Sequence, residues 1–307
     1  MTELRDRANP TRVPSTPHVG GSFFHADELA VQARAGGGPP GAGIRNYMPG
    51  QHREFFALLP YLFAGTIDAE GWPAATMLTG APGFAHSPDP ATLRIDAFVD
   101  RRDHAAAGLV VGREIGILGI DLATRRRNRA NGHITALDDA GMTVAVRQSF
   151  GNCPRYIQRR AARSEPGSPG DVELFGSLDA EAAALIGGAD TFFVASRSGP
   201  RGGDAGGADI SHRGGQPGFV RVEGGTLTIP DFNGNRYFNT LGNLLGEPRA
   251  SLLFVDFARG DLLQLQGATE IDWSEEAARL VEGAERLWRF RVMRGWRRRA
   301  ASALRWF

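Results

Sequence analysis

The sequence of 307 residues lacks lysine: its 35 lysine and arginine positions are all arginine. A Schiff-base lysine, a pyridoxal-phosphate aldimine and a phosphate-loop lysine are therefore excluded. Recognition of an anion by a cationic side chain must use arginine, whose planar guanidinium suits bidentate contact with phosphate or carboxylate. A GC-rich genome is the simpler explanation of the bias, but the exclusion holds in either case.

Cysteine, net charge and long apolar runs are scarce as well. The one cysteine, Cys153, permits neither an internal disulfide nor a thiolate metal cage, and this is typical of a cytoplasmic protein. No stretch approaches the ~18 apolar residues of a membrane-spanning helix, and no signal peptide is expected. The net charge of +1 gives no field that favours nucleic acid, and the seven histidines form no HExxH motif or close pair. We expect a cytoplasmic protein with no nucleic-acid, membrane or metal partner.

Two parts of the sequence repeat each other. Pro82-Gly83-Phe84 recurs as Pro217-Gly218-Phe219, and Ile120-Asp121-Leu122 matches Val255-Asp256-Phe257, each at an offset of 135 residues (218 − 83). Further patches keep the same register, which predicts a duplication. The predicted organisation is an N-terminal extension over 1–45, partly disordered, a degenerate first repeat over 46–162, a linker over 163–170 and a second repeat over 171–307.

Strand periodicity dominates both repeats, and glycine-rich turns separate the runs, as in an antiparallel barrel. One helix is expected in each repeat: Asn235 to Leu245 in the second, capped by Asn233 or Asn235, and a weaker one from its cap Asp100 to about Val111 in the first. The predicted fold is mainly β: a barrel with a few helices, present in two tandem copies. The predicted strands are Tyr61 to Ile67, Thr92 to Ile95, Thr191 to Ser196, Thr226 to Ile229, Ser251 to Phe257 and Leu287 to Val292, and a short helix is predicted within Phe23 to Arg34.

Two arginines beside glycines form the strongest candidate site. Arg213 flanks a predicted strand and precedes Gly214, and Arg236 lies with Asn235 at the predicted helix start. The first N–H groups of a helix are unpaired and carry partial positive charge, so a phosphate binds well there. Arginine adds charge-assisted hydrogen bonds, and glycine lets the backbone approach a ligand. The alternative is a solvated arginine pair beside turn glycines.

The segment TLTIPDFNGNRYFNTLGNLLGEPRASLLFVDFARGDLLQLQGATEI, residues 226–271, resembles the pyridoxamine 5′-phosphate oxidase-related, flavin-binding split β-barrel family. The resemblance covers most of residues 190–272 and, more weakly, 50–135. Its motifs are specific for the family and not for the reaction. Three further stretches are similar to the longer tandem members of the family: Phe24 to Gly36, Arg125 to Gly132 and Phe150 to Gln158.

The resemblance implies an FMN cleft between two barrels, which the duplication would supply within one chain as a pseudo-dimer, either monomeric or further dimerised. It also implies a flavin-dependent oxidoreductase that uses a small-molecule substrate and an electron donor such as NAD(P)H, neither of which the motifs identify. No side chain stands out as a catalytic acid or base. The residues carried over as FMN-binding are Ser211, Arg213, Gly214, Asn235, Arg236, Thr240 and Asn243, and Arg127, Asn152 and Tyr156 are further candidates.

The first repeat departs from this pattern at the positions of the phosphate ligands, where an apolar residue replaces an arginine and two carboxylates oppose a phosphate. We therefore expect one FMN per chain, bound at the second repeat, with the first repeat contributing a wall of the pocket. The departures are Thr76 and Leu78 in place of Ser211 and Arg213, and Asp100 and Asp103 flanking the Arg101-Arg102 pair that matches Asn235-Arg236.

Some features keep two interpretations. Alternation places Arg125, Arg127 and Arg129 on one face of a strand, which is either a charged, solvated edge strand or a cationic wall facing the ligand. Cys153 is either a small buried apolar residue or a thiol near arginines. His212 is either exposed to solvent or part of the phosphate segment. The competing functions are a non-catalytic flavin or ligand carrier, and a split-barrel relative that binds F420 or haem.

Overall fold

The computed structural model describes residues 22–165 and 167–307. The segment predicted to be disordered, residues 1 to about 20, lies outside them, and so does Pro166 of the predicted linker. The first β unit follows a short helix, α1 (Ala26–Arg34). It contains α2 (Gly50–Leu58), β1 (Tyr61–Ile67), β2 (Pro73–Thr79), β3 (Ala85–His86), β4 (Thr92–Ile95), a 3₁₀-helix (His104–Gly108), β5 (Glu114–Asp121), β6 (Arg126–Asp138) and β7 (Gly141–Gly151).

The second unit repeats this plan. Two short strands, β8 (Ala162–Ser164) and β9 (Val172–Phe175), connect it to the first unit. It contains α3 (Ala180–Gly188), β10 (Thr191–Arg197), a 3₁₀-helix (Pro200–Ala205), β11 (Ala208–Gly214), β12 (Arg221–Glu223), β13 (Thr226–Phe232), α4 (Asn239–Gly246), β14 (Arg249–Val255), β15 (Leu262–Asp272), α5 (Glu275–Arg279), β16 (Ala284–Arg298) and β17 (Leu304–Trp306).

Both sheets have the same strand order. It is β2-β1-β5-β6-β7-β4-β3 in the first and β11-β10-β14-β15-β16-β13-β12 in the second. The strand pairing also corresponds: Phe63 lies opposite Leu118, and Phe193 lies opposite Leu253, with an offset of 135 between β5 and β14 (253 − 118) and of 130 between β1 and β10 (193 − 63). The predicted fold class, a mainly β chain with two tandem barrels, is confirmed. Among the described residues, no helix has the length and apolar character needed to cross a membrane.

The two units share an apolar core. The rings of Phe63 and Phe193 stack with their centroids 3.5 Å apart, inside a buried cluster that draws residues from both sheets. The backbones also approach closely, because a Cβ added at Gly65 or Gly116 would lie within 3 Å of backbone atoms of Asp209. Cores are packed too tightly to absorb such a side chain, so these glycines fix how the units dock.

Helix α1 packs against the second unit, although it precedes the first in sequence. Val31 is fully buried in the core of the second unit. The helix begins with a capping box, in which His25 accepts from the N–H of Glu28 and the Glu28 carboxylate accepts from the N–H of His25. Gly242 of α4 lies against it, where a Cβ would come within 2.5 Å of Glu28. Helix α1 is therefore part of the second unit's packing.

The helix predicted in each repeat begins later than the sequence suggests, and the expectation of one helix per repeat is wrong, because α2 in the first unit and α3 and α5 in the second were not predicted. In the second unit the helix starts at Asn239, because residues up to Phe232 continue β13 and both Arg236 and Phe238 have a φ of 58°. Neither Asn233 nor Asn235 caps it. In the first unit the segment forms only the 3₁₀-helix, and Asp103 caps it by accepting from the Ala105 N–H at 2.9 Å.

We expect protonation of His104 to lower the stability of the fold at acidic pH. Its ring, 9% exposed, stacks on Trp296 of the other unit with centroids 3.7 Å apart. Burial lowers its pKa to about 4 from 6.5. Because the unfolded histidine takes up a proton first, stability is complete above pH 6.5 and declines as the pH falls toward 4, by up to about 3 kcal/mol.

Urea unfolding of His104→Phe, which keeps an aromatic stack, tests this expectation. Between about pH 7 and pH 4 the unfolding free energy of the variant should fall by up to about 3 kcal/mol less than that of the wild type. Parallel declines in the two proteins would show that His104 does not limit acid stability.

Candidate functional site

A cleft lies between the two units, with an open volume of about 870 Å³ including its mouth. It brings together nine of the ten predicted FMN-binding residues. The exception is Asn243, which lies deeper along α4 in a neighbouring small polar cavity. The predicted residues that line the cleft are Arg127, Asn152, Tyr156, Ser211, Arg213, Gly214, Asn235, Arg236 and Thr240, and it is also lined by Arg129, Cys153, Arg155, His212, Phe219, Pro230, Asp231, Phe232, Gly234, Phe238, Asn239 and Glu285.

The arginines of β6 form a cationic wall. Alternation along the strand brings Arg127 and Arg129 to the cleft and leaves Arg126 exposed over the ring of Phe55. The interpretation as an edge strand is wrong, because β6 lies between β5 and β7 and both neighbours satisfy its backbone. Arg125 precedes the strand in a left-handed turn.

Within residues 22–165 and 167–307, Arg127 has only neutral partners. Its Nε and Nη2 donate to the carbonyl of Cys153, and its Nη1 lies 3.0 Å from Nδ1 of His212. Loss of water contact, reinforced by the nearby charge of Arg129, lowers its pKa to about 9. At neutral pH it therefore remains charged, without a carboxylate to balance it.

Arg129 is buried and connects three elements. Its Nη1 donates to Oδ1 of Asn239 at 2.8 Å and lies 3.4 Å from the carboxylate of Asp209, and its Nη2 donates to the hydroxyl of Ser211. Burial lowers its pKa as well. Its Nε is buried and has no hydrogen-bond partner among the residues that the structure describes.

Arg213 lies on the opposite wall, on β11. Its Nη1 donates to Asp231 at 2.6 Å, and the other oxygen of Asp231 accepts from Arg286. The Nε of Arg213 is buried without a partner. Asp231 is thus shared between two arginines, and Arg286 is also paired with the Glu285 carboxylate at 3.0 Å.

The histidine in the phosphate segment is buried, so the interpretation of His212 as solvent-exposed is wrong. Burial, followed by the charges of Arg127 and Arg213, holds its pKa well below 6.5. The ring is therefore neutral at physiological pH, and its Nε2 has no partner. A neutral imidazole adds no repulsion in a site already rich in cations.

The loop after β13 forms the rim of the cleft. Arg236 is turned toward the end of α1, where it donates to the carbonyls of Ala35 and Gly37. It is therefore not at a helix start, as the sequence predicts, although it lines the cleft. Across the mouth, the Tyr156 hydroxyl donates to the carbonyl of Asn233 at 2.9 Å. Tyr156 also stacks on Phe232, with centroids 5.3 Å apart.

The first turn of α4 contributes the remaining donors. Asn239 and Thr240 line the cleft, and the first N–H groups of a helix have no intrahelical partner. Asn239 also donates to Glu28 of α1 at 2.6 Å, and burial raises the pKa of Glu28 to about 8. The helix start is therefore near Asn239 and Thr240 and not at Asn235, four residues later than the sequence indicates.

The cleft as a whole suits an anion. Five arginines line it against the carboxylates of Asp231 and Glu285. The sequence analysis placed Arg129 with Arg127 on the possible cationic wall but did not include it among the FMN-binding residues. It also missed Asp231 and Asn239, whose roles depend on contacts with distant segments.

No protein-family model matches the chain, and no curated protein matches it. Several solved structures do. The match with HupZ of Group A Streptococcus has 17% identity and a TM-score of 0.31, and covers 38% of this chain and 91% of HupZ. A protein of the pyridoxinephosphate oxidase family from Clostridium acetobutylicum, related to general stress protein 26 of B. subtilis, has 15% identity and a TM-score of 0.27, with 41% and 91% covered.

A third match is an FAD-binding protein from Mesorhizobium loti, with 11% identity, a TM-score of 0.29, and 41% of this chain and 97% of that chain covered. Each of these matches spans about 40% of the chain, which is about the length of one unit. Members of the family that the sequence resembles are thus among the matched structures.

Proposed function

We propose that the cleft binds FMN and that the protein is a flavin-dependent oxidoreductase. The observation that supports the proposal most strongly is the environment of Arg127. Its guanidinium is partly buried in the cleft wall, and among the described residues it contacts only a carbonyl and a neutral imidazole. A cation removed from water costs free energy unless an anion completes its environment. An anionic ligand in the cleft supplies that charge.

The start of α4 is the best place for the phosphate. Arg129 and Ser211 lie beside Asn239, at the first turn of this helix. Arg213 adds a second guanidinium with an unpaired buried Nε. Unpaired helix N–H groups together with arginine and hydroxyl donors favour a terminal phosphate with two charges. This donor set fits the phosphate monoester of FMN.

The rest of the cleft suits a flat ring. Tyr156 and Phe232 place aromatic faces at the mouth, and Asn152 and Arg127 line the wall. When bound, a flavin supplies hydride and electron transfer, while the protein supplies binding, orientation and electrostatics. In this division of roles Arg127 fixes positive charge in the wall, and His212 stays neutral beside it. The substrate and the electron donor are small molecules whose identity this donor set does not specify.

Ligand release from the purified full chain tests the proposal. We expect a yellow protein with absorption bands near 370 and 450 nm (approximate flavin values), and FMN at one equivalent per chain by mass spectrometry. Ligand-free protein should take up added FMN with the same stoichiometry. Bound haem or F420, or no uptake of FMN at about 100 µM, would contradict FMN as the ligand.

Rapid mixing with NADH or NADPH separates an oxidoreductase from a carrier. An oxidoreductase that uses these donors loses flavin absorbance within seconds, and air restores it. A carrier keeps its bound flavin oxidised with every donor and substrate offered, and that result would leave FMN binding in place while removing the enzymatic part of the proposal.

A further inference from the structure

The duplication implies a second cleft related to the first by exchange of the two units. In it β2 takes the place of β11, and β15 takes the place of β6. The register confirms the correspondence of individual residues: Arg129 lies opposite Leu118, and Gln264 lies opposite Leu253 at the same offset of 135. In this second location the wall therefore has glutamine where the first cleft has its buried arginine.

A carboxylate of the chain occupies this second location. The side chain of Asp103 is fully buried, and it accepts four hydrogen bonds. Thr76 donates its hydroxyl at 2.5 Å, Arg298 its Nη1 at 2.6 Å, Gln264 its Nε2 at 2.9 Å, and Ala105 its backbone N–H at 2.9 Å.

Three of these donors have counterparts in the open cleft. At the offset of 135, Thr76 corresponds to Ser211, Gln264 to Arg129, and Ala105 to Thr240. All three counterparts line the open cleft. The donors around Asp103 are thus at the same positions of the repeat as three residues that line the open cleft.

We propose that the Asp103 carboxylate is an internal substitute for a bound anion, which closes the second cleft and leaves the chain with one ligand site. The fourth donor supports this assignment. Arg298 reaches Asp103 from the other unit, its side chain is only 6% exposed, and its buried Nε has no partner. Its one further carboxylate, Asp100, is 3.6 Å away. Without Asp103 this buried cation would keep only the more distant Asp100 carboxylate, beside donors that have lost their shared acceptor, and such an arrangement favours binding of an anion.

An ordinary ion pair between the units is the alternative, and replacement by a free anion distinguishes the two. Asp103→Ala removes the carboxylate and leaves room, whereas Asp103→Asn removes the charge but still fills the space. The probe is inorganic phosphate, at constant ionic strength, with the full chain and no flavin added. The test therefore does not depend on FMN being the ligand of the open cleft.

We expect Asp103→Ala to bind one phosphate per chain more than the wild type in equilibrium dialysis. Its thermal midpoint should be lower than that of the wild type without phosphate and should recover by roughly 5 °C more than the wild type as phosphate saturates. Asp103→Asn should show neither the extra phosphate nor the recovery. In Asp103→Ala/Arg298→Met the extra phosphate should be lost, because the cation is gone.

Two results would overturn the proposal. One is an Asp103→Ala protein whose phosphate stoichiometry and phosphate-dependent midpoint match those of the wild type. The other is an Asp103→Ala protein that fails to fold both with and without phosphate while Asp103→Asn folds. Recovery of folded Asp103→Ala only in phosphate-containing buffer would support the proposal, since the free anion would then replace the missing carboxylate.

Discussion

Arg127→Met is expected to lower the affinity of the protein for FMN by about 10- to 100-fold, the value of one charge-assisted hydrogen bond. The same change should leave the ligand-free protein as stable as the wild type or more stable, by about 1–2 kcal/mol. The reason is that Arg127 is a partly desolvated cation that has no carboxylate partner in the described part of the chain. Methionine removes its cost and retains an unbranched apolar stem.

The measurement pairs two experiments on each protein. Fluorescence titration of ligand-free protein gives the Kd for FMN, and urea unfolding without FMN gives the stability. Arg126→Met is the matched control, because Arg126 is the neighbouring residue on the same strand, is exposed and does not line the cleft. We expect the control to bind FMN like the wild type. A destabilised Arg127→Met protein with unchanged FMN affinity would give Arg127 a structural role only.

A substitution that weakens ligand binding without destabilising the protein identifies a residue that serves the ligand and not the packing of the fold. A side chain that serves packing alone usually destabilises the fold when it is replaced. A substitution of Arg129 would distinguish ligand binding from packing less clearly, because Arg129 is buried against Asp209. Its removal would leave that carboxylate short of a partner and destabilise the protein irrespective of any ligand.

The fold was predictable because it depends on short-range patterns. Alternating runs gave the strands, as in Thr92–Ile95, where the predicted and observed bounds agree. The repeated Pro-Gly-Phe turns fixed the offset between the units, and the pairing of Leu118 with Arg129 and of Leu253 with Gln264 keeps it. The repeat in the sequence therefore indicates which strands of the two units correspond in the structure.

The starts of the helices were not predictable in this way. Asn233 and Asn235 are good capping residues, and their spacing before an apolar face indicates a helix. The chain instead adopts left-handed conformations at Arg236 and Phe238, which residues other than glycine rarely do. This loop contacts the segment that follows α1, where Arg236 donates to the carbonyl of Gly37. Such a contact joins residues about 200 positions apart and leaves no local signal.

The candidate site was predictable as a set of positions and not as a network. The alternation predicted that Arg127 lies on one face of its strand, and the motif predicted that Ser211 and Arg213 belong to one site. All three residues line the same cleft. Their partners come from distant parts of the sequence. Asp231 balances Arg213, and Glu28 from the N-terminal helix holds Asn239 at the start of α4.

Arg213→Leu is expected to weaken FMN binding by about 100-fold, because it removes a guanidinium from the proposed phosphate site. The substitution places in the second unit the residue that the first unit has at the corresponding position, Leu78. The fold should tolerate it, because Asp231 keeps its ion pair with the buried Arg286. We expect a loss of stability of at most about 1–2 kcal/mol, well below that of an unpaired buried charge.

The Kd for FMN, measured beside the urea midpoint, separates the two effects, and Arg101→Ala serves as the control. Arg101 belongs to the arginine pair that the sequence aligns with Asn235-Arg236, but it is exposed and does not line the cleft. The control should bind FMN with wild-type affinity. Equal losses of affinity in the two variants would point to a general effect of positive charge and not to a phosphate contact. An unchanged Kd in Arg213→Leu would place the phosphate away from β11, because the two units would then differ at this position without consequence for the ligand.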